Sequence, residues 1–158
     1  MKKRSIAVLS ALTGTLISGT VTGKVLLEKR NQIQALSDKH LAMFKMMNQW
    51  VKVKQEGKNL SEYFEREGYR NIAVYGMSYA GETLIDELEN TGINVAYGID
   101  KSVVTTYAEI NIISTDDQLE AVDAIVVTAI TFYDEINQML SKKIDCPIIS
   151  LEDILYKV

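Results

Sequence analysis

A small doubly wound α/β domain, with about five parallel strands in the order 3-2-1-4-5, is the fold predicted for residues 58–158. Three features predict it. Short apolar runs rich in Val and Ile recur between stretches of helical periodicity. The first run leads directly into a glycine-containing turn and a helix. The second ends on an acid, Asp100.

The elements follow in order. Asn71-Ile-Ala-Val-Tyr75 is apolar and β-branched, as a strand buried on both faces should be. Gly76-Met77-Ser78-Tyr79-Ala80-Gly81 is the turn, and a helix is expected over 82–90, with Ala80, Leu84, Ile85 and Leu88 on one face. Thr91-Gly92 stops it, and a second strand is expected over 93–99. Residues 110–113 form a weaker third strand, after which Ser114 or Thr115 is placed to cap a short helix reaching Ala121. Ala124-Ile-Val-Val-Thr128 is a strong buried strand, followed by a helix over 133–143 with Ile136, Met139 and Leu140 inward. Pro147-Ile-Ile149 is the fifth strand, and an amphipathic turn over 151–156 closes the chain.

Upstream, a helical pattern covers 25–57. A heptad seam runs through Leu26, Lys29, Ile33, Leu36, His40, Met43, Met47 and Trp50, as expected of a stalk that pairs in a homodimer. Leu41, Phe44, Val51 and Val53 widen that face, so the helix is also expected to pack on the domain or on a partner. Gly57 ends it, Asn59 or Ser61 caps a short helix through Glu67, and Gly68 suits the left-handed residue that closes that one.

The first 24 residues read differently. Met1-Lys2-Lys3-Arg4 precedes an uncharged stretch over 6–23, which is about 27 Å of helix and close to the minimum for a bilayer core. Half of that stretch is Ser, Thr or Gly, which weakens its transfer into lipid. The small residues are nevertheless periodic, and Gly19-Thr-Val-Thr-Gly23 is a GxxxG spacing that lets helices approach closely in a membrane. A membrane anchor or membrane-associated segment over 1–24 is the leading reading. A cleaved signal peptide and a soluble packed helix stay open.

Charge divides the chain. Residues 1–58 carry a net +8 and residues 59–158 a net −12. The basic part suits an anionic membrane surface, whereas the acidic part would repel a phosphate backbone and argues against nucleic acid. Chemistry is further bounded by one cysteine, Cys146, and one histidine, His40, which exclude an internal disulfide, a cysteine zinc site and a self-contained Ser-His-Asp triad. Each is expected in a structural role. Tyr97 and Lys101 match the Tyr-x-x-x-Lys string of short-chain dehydrogenases, but Tyr97 falls in a strand, where that pair cannot share a helix face.

The glycine turn carries the functional expectation. It matches GxGxxG with Ser78 at the middle glycine. Gly76 would permit the tight turn and Gly81 the close approach of helix to strand, while Ser78 offers a hydroxyl where glycine would let backbone approach a pyrophosphate. Asp100, 24 residues beyond Gly76, stands near where an acid would hold a ribose hydroxyl. The ends of the first and fourth strands meet at the switch point of this order, so Thr128, Ala129 and Thr131 are expected to face Gly76, Met77, Ser78 and Tyr79 across a crevice. The ligand class this turn and acid point to is a nucleotide.

Glu62-Tyr-Phe-Glu-Arg-Glu-Gly-Tyr-Arg-Asn-Ile-Ala-Val-Tyr-Gly-Met, with Val-Ala-Tyr-Gly-Ile-Asp-Lys further on, resembles small Rossmann-like domains of Firmicutes. Those domains are often uncharacterised or attached to surface-polysaccharide enzymes. The likeness spans roughly residues 48–158, and those relatives usually carry glycine where Ser78 stands. The resemblance implies the fold and NAD(P) or nucleotide-sugar binding, and it implies no particular reaction. The expected protein is a membrane-associated nucleotide-binding module with its domain in the cytoplasm, accessory to cell-envelope polysaccharide synthesis. A small NAD(P)-dependent oxidoreductase or sugar-nucleotide-modifying subunit is the alternative, and a ligand-free interaction scaffold the second alternative.

Overall fold

The structure, a computed structural model, describes residues 24–101 and 110–158 with their side chains and residues 2–23 as helical backbone. The chain forms two compact units, Met1–Leu41 and Ala42–Val158. Both draw on the long helix α1 (Lys2–Gln55). In the first unit every described side chain is exposed, Leu26, Ile33, Leu36 and Leu41 among them. Among the described residues no helix is long and apolar enough to cross a membrane. The 6–23 segment, expected to be the anchor, lies outside the residues whose side chains are described.

The second unit is an α/β domain. Its elements are the last turns of α1, then α2 (Ser61–Glu67), β1 (Asn71–Tyr75), α3 (Tyr79–Leu88), β2 (Asn94–Asp100), β3 (Ile112–Ser114), β4 (Ala124–Val127), α4 (Tyr133–Leu140), β5 (Ile148–Ser150) and α5 (Leu151–Lys157). All described strand pairs are parallel, and the sheet order is β3-β2-β1-β4-β5, as predicted. Side chains alternate across the two central strands. Ile72, Val74, Ala124 and Val126 face α1, α2, α3 and α5, whereas Ala73, Tyr75, Ile125 and Val127 face α4. Burial on both sides explains why these strands read as unbroken apolar runs.

Met46, Trp50 and Val53 of α1 are almost fully buried in the first of these layers, which is why the compact unit begins at Ala42. The last third of the expected seam therefore packs on the domain: Trp50 is core, and Met43 and Met47 are half-buried against it. Phe44 and Val51, which fall on the opposite side by helical spacing, are exposed. Glu87 of α3 ties this junction together. Its side chain is 7% exposed, and it accepts hydrogen bonds from the Trp50 indole, from Lys54 Nζ at 3.0 Å and from the Leu60 amide at 2.9 Å. Asn59 caps the start of α2 by accepting from the Ser61 amide at 2.9 Å, while Glu62 accepts from the Asn59 amide at 3.2 Å. Gly68, at φ 80°, closes that helix as expected.

Three expectations change. The helix after the glycine turn begins at Tyr79 and not at 82, because Ser78, extended at φ −103° and ψ −173°, already serves as its N-cap residue. The short helix from 115 to 121 does not form. Asp117 instead folds back on its own turn, accepting from the Ser114 amide at 2.8 Å while its own amide donates to the Ser114 carbonyl at 3.1 Å. The helix expected over 133–143 stops at Leu140 and is preceded by a 3₁₀ turn, Ile130–Phe132.

At the other end of the sheet Asp123 fixes the entry to β1. Its carboxylate accepts from the Arg70 and Asn71 amides, both at 2.7 Å, and these bonds hold its pKa below the ordinary carboxylate value. A depressed folded pKa stabilises the domain above the unfolded value of about 4 and loses that contribution as pH falls through the folded one. Asp123→Asn is therefore expected to flatten the acid side of the stability–pH curve, as read by denaturant midpoints between neutral pH and about pH 3.

Candidate functional site

The ends of β1, β2 and β4 surround a cavity of 510 Å³ lined by Tyr75, Gly76, Ser78, Asp100, Lys101, Ala129, Phe132, Glu135, Ile136 and Met139. This lies within the usual size range of small-molecule sites, and it opens at the switch point of the sheet.

The glycine turn that forms one edge is fixed by packing. Gly76 sits at φ 97°, in the left-handed region. A Cβ there would stand 2.7 Å from Thr128 Oγ1. Thr128 is buried, and its hydroxyl lies 2.6 Å from the Gly76 carbonyl and 3.1 Å from that of Tyr75, both acceptors. Gly81 passes so close beneath the turn that a Cβ would stand 2.3 Å from the Gly76 carbonyl oxygen. Met77 faces two ways: its side chain is buried on the α3 side against Gly98, and its amide donates to Asp100 Oδ2 at 2.8 Å. The Gly76 amide is engaged as well, donating to the Ile99 carbonyl at 2.9 Å.

Of the residues expected to bind a cofactor, the cavity brings together Gly76, Ser78, Asp100 and Ala129. Gly81 and Thr128 lie behind it as packing residues, and Met77 contributes its amide to Asp100 and not to the cavity. Tyr79 is 87% exposed on the first turn of α3, outside the cavity lining. Thr131, expected across the crevice, lines a separate pocket with Asp134, Glu152 and Asp153, because the 3₁₀ turn carries it away from Gly76. In the α3 helical ladder the Glu82 amide donates to the Ser78 carbonyl at 3.0 Å, so the amides of Tyr79, Ala80 and Gly81 precede the first ladder bond of that helix.

Other candidates take structural roles. The Tyr97 hydroxyl donates to the Glu120 carbonyl at 2.6 Å, which ties β2 to the loop before β4. Cys146 is half-buried against the α4-side core, and burial, followed by Asp145 and Asp123, raises its thiol pKa, the opposite of activation. His40 is exposed on α1. Among the described residues no cluster of three or more His, Cys, Asp or Glu side chains is arranged to hold a metal ion.

Sequence reasoning missed Tyr75, Lys101, Phe132, Glu135, Ile136 and Met139 as cavity residues. Apolar periodicity marked Ile136 and Met139 as inward-facing, and only the position of α4 over the strand ends turns them into a wall. A scan against protein-family models and a search of curated proteins both return no match for this chain.

Proposed function

We propose that the α/β domain is a nucleotide-binding module. The observation that carries this reading is the convergence of the left-handed Gly76 turn, the start of α3 and Asp100 on one 510 Å³ cavity at the switch point. NAD(P) and nucleotide sugars are the ligand classes in view. The phosphates would lie toward Ser78 and the first turn of α3, and the nucleoside in the cavity. The segment over 1–24 would hold the module at a membrane, the exposed leucines of α1 favour pairing with a second copy, and the domain would stand in the cytoplasm, where such ligands are. A role beside cell-envelope polysaccharide synthesis follows from the resemblance of residues 48–158 alone. The scaffold reading has one specific support: Asp100 is already engaged by the Met77 amide.

The test is the thermal midpoint of the full-length chain with NAD, NADP, UDP-glucose and other nucleotide sugars. A ligand at 100 times its dissociation constant should stabilise by about 2.7 kcal/mol, or several degrees. Asp100→Ala should abolish the shift while the unliganded variant still melts cooperatively. A folded wild-type chain that no nucleotide shifts would refute the module and leave the scaffold.

A further inference from the structure

Tyr75 ends β1 with only 4% of its surface exposed, packed on the α4 side of the sheet. Its hydroxyl is buried and has no hydrogen-bond partner among the described residues. The neighbouring tyrosines show what the fold does with a phenol that has only a structural task. Tyr97 donates to a carbonyl at 2.6 Å, and Tyr133 donates to the Ile148 carbonyl at 2.7 Å. A buried hydroxyl without such a partner is costly, and phenylalanine would fill the same space without the penalty. Tyr75 also lines the cavity, beside Asp100 and Gly76 and with Phe132, Ile136 and Met139 in the same lining.

Resting on the nucleotide reading, we infer that Tyr75 is a ligand-recognition residue. Once the entering ligand parts the side chains that cover it, its hydroxyl donates a hydrogen bond to an uncharged acceptor, a ring nitrogen or carbonyl oxygen, on the base of a nucleoside held against Phe132, Ile136 and Met139. The charge of the lining favours an uncharged group over a phosphate, since Asp100 and Glu135 contribute two carboxylates against the single ammonium of Lys101. Three apolar side chains in the lining suit the face of a flat base. The phenol is a donor at neutral pH, because burial and then the Asp100 charge raise its pKa above the ordinary tyrosine value.

The experiment compares full-length wild type with Tyr75→Phe, by thermal midpoint without ligand and by calorimetric affinity for adenosine, uridine, NAD, UDP-glucose and inorganic pyrophosphate. The expected result has two opposed parts. Without ligand the variant melts at or above the wild-type temperature, since an unpaired buried group has been removed. Its affinity for a nucleoside that binds wild type, and for the matching nucleotide, falls about tenfold, while pyrophosphate alone binds both proteins equally weakly. Equal nucleoside affinity in the two proteins overturns the role of Tyr75 and leaves the nucleotide module standing. A midpoint lowered by several degrees also overturns it, because a group of the protein then already holds the hydroxyl. No binding of any nucleoside or nucleotide to wild type removes the nucleotide reading and this inference with it.

Discussion

Removing residues 1–57 is expected to unfold the α/β domain, whereas removing residues 1–41 is expected to leave it folded. The shorter chain would lose Met46, Trp50 and Val53, whose side chains are 0%, 3% and 2% exposed. Deleting a large buried side chain costs about 2–5 kcal/mol, so three together approach the total stability of an ordinary domain, about 5–15 kcal/mol. The loss also strips Glu87 of the Trp50 and Lys54 donors, leaving its carboxylate only the Leu60 amide of the three. Circular dichroism melts of chains beginning at 42 and at 58 check this. A cooperative transition of similar midpoint in both would show that α1 is dispensable to the core.

The second large effect is at Gly81. Gly81→Ala is expected to lower stability by about 3 kcal/mol, and Gly81→Val by more, because the new Cβ would stand 2.3 Å from a backbone oxygen that cannot rotate away. Gly57→Ala is the control. It has the same left-handed backbone problem as other helix-ending glycines, at φ 75°, but no atom lies within 4 Å of its Cβ position. Its expected cost is about 1–2 kcal/mol. Chemical denaturation of the three variants separates the cases, and a Gly81→Ala cost no larger than that of Gly57→Ala would contradict the close approach of α3 to the turn.

Much of this fold was legible because its central strands are buried on both faces. Such strands must be apolar wherever they are buried, so 72–75 and 124–127 stand out from the helical periodicity on either side. The glycine turn was legible for the same kind of reason, since only glycine tolerates both the backbone at 76 and the contact at 81. The edge of the sheet was less so. Residues 115–121 contain capping residues that suit a helix start, and what decides their conformation is the Asp117 side chain closing its own turn, together with Lys143 donating to the Thr115 carbonyl from the turn after α4. Trp50 likewise fitted a seam toward a second helix. Its packing on α3 through Glu87, 37 residues away, is long-range information that no local pattern contains.

The site was legible in part. Gly76, Ser78, Asp100 and Ala129 could be placed from the order of elements, because the switch point follows from topology. Met77, Tyr79 and Thr131 could not be sorted from them, since the direction each one faces depends on where a helix or a 3₁₀ turn begins within one or two residues.

The packing around Gly76 has a consequence for evolution. Gly76, Gly81 and Thr128 occupy one another's space so closely that a Cβ at either glycine would collide, so these positions cannot drift singly. Selection for folding alone would preserve them, and a descendant that had abandoned its ligand would still display the glycines of the motif. The fingerprint by which such domains are recognised is then, in this chain, chiefly a record of how β1 meets α3. On the proposed nucleotide reading the Tyr75 hydroxyl, with no partner among the described residues, would instead follow the ligand, because a change to phenylalanine would remove it once nothing required it.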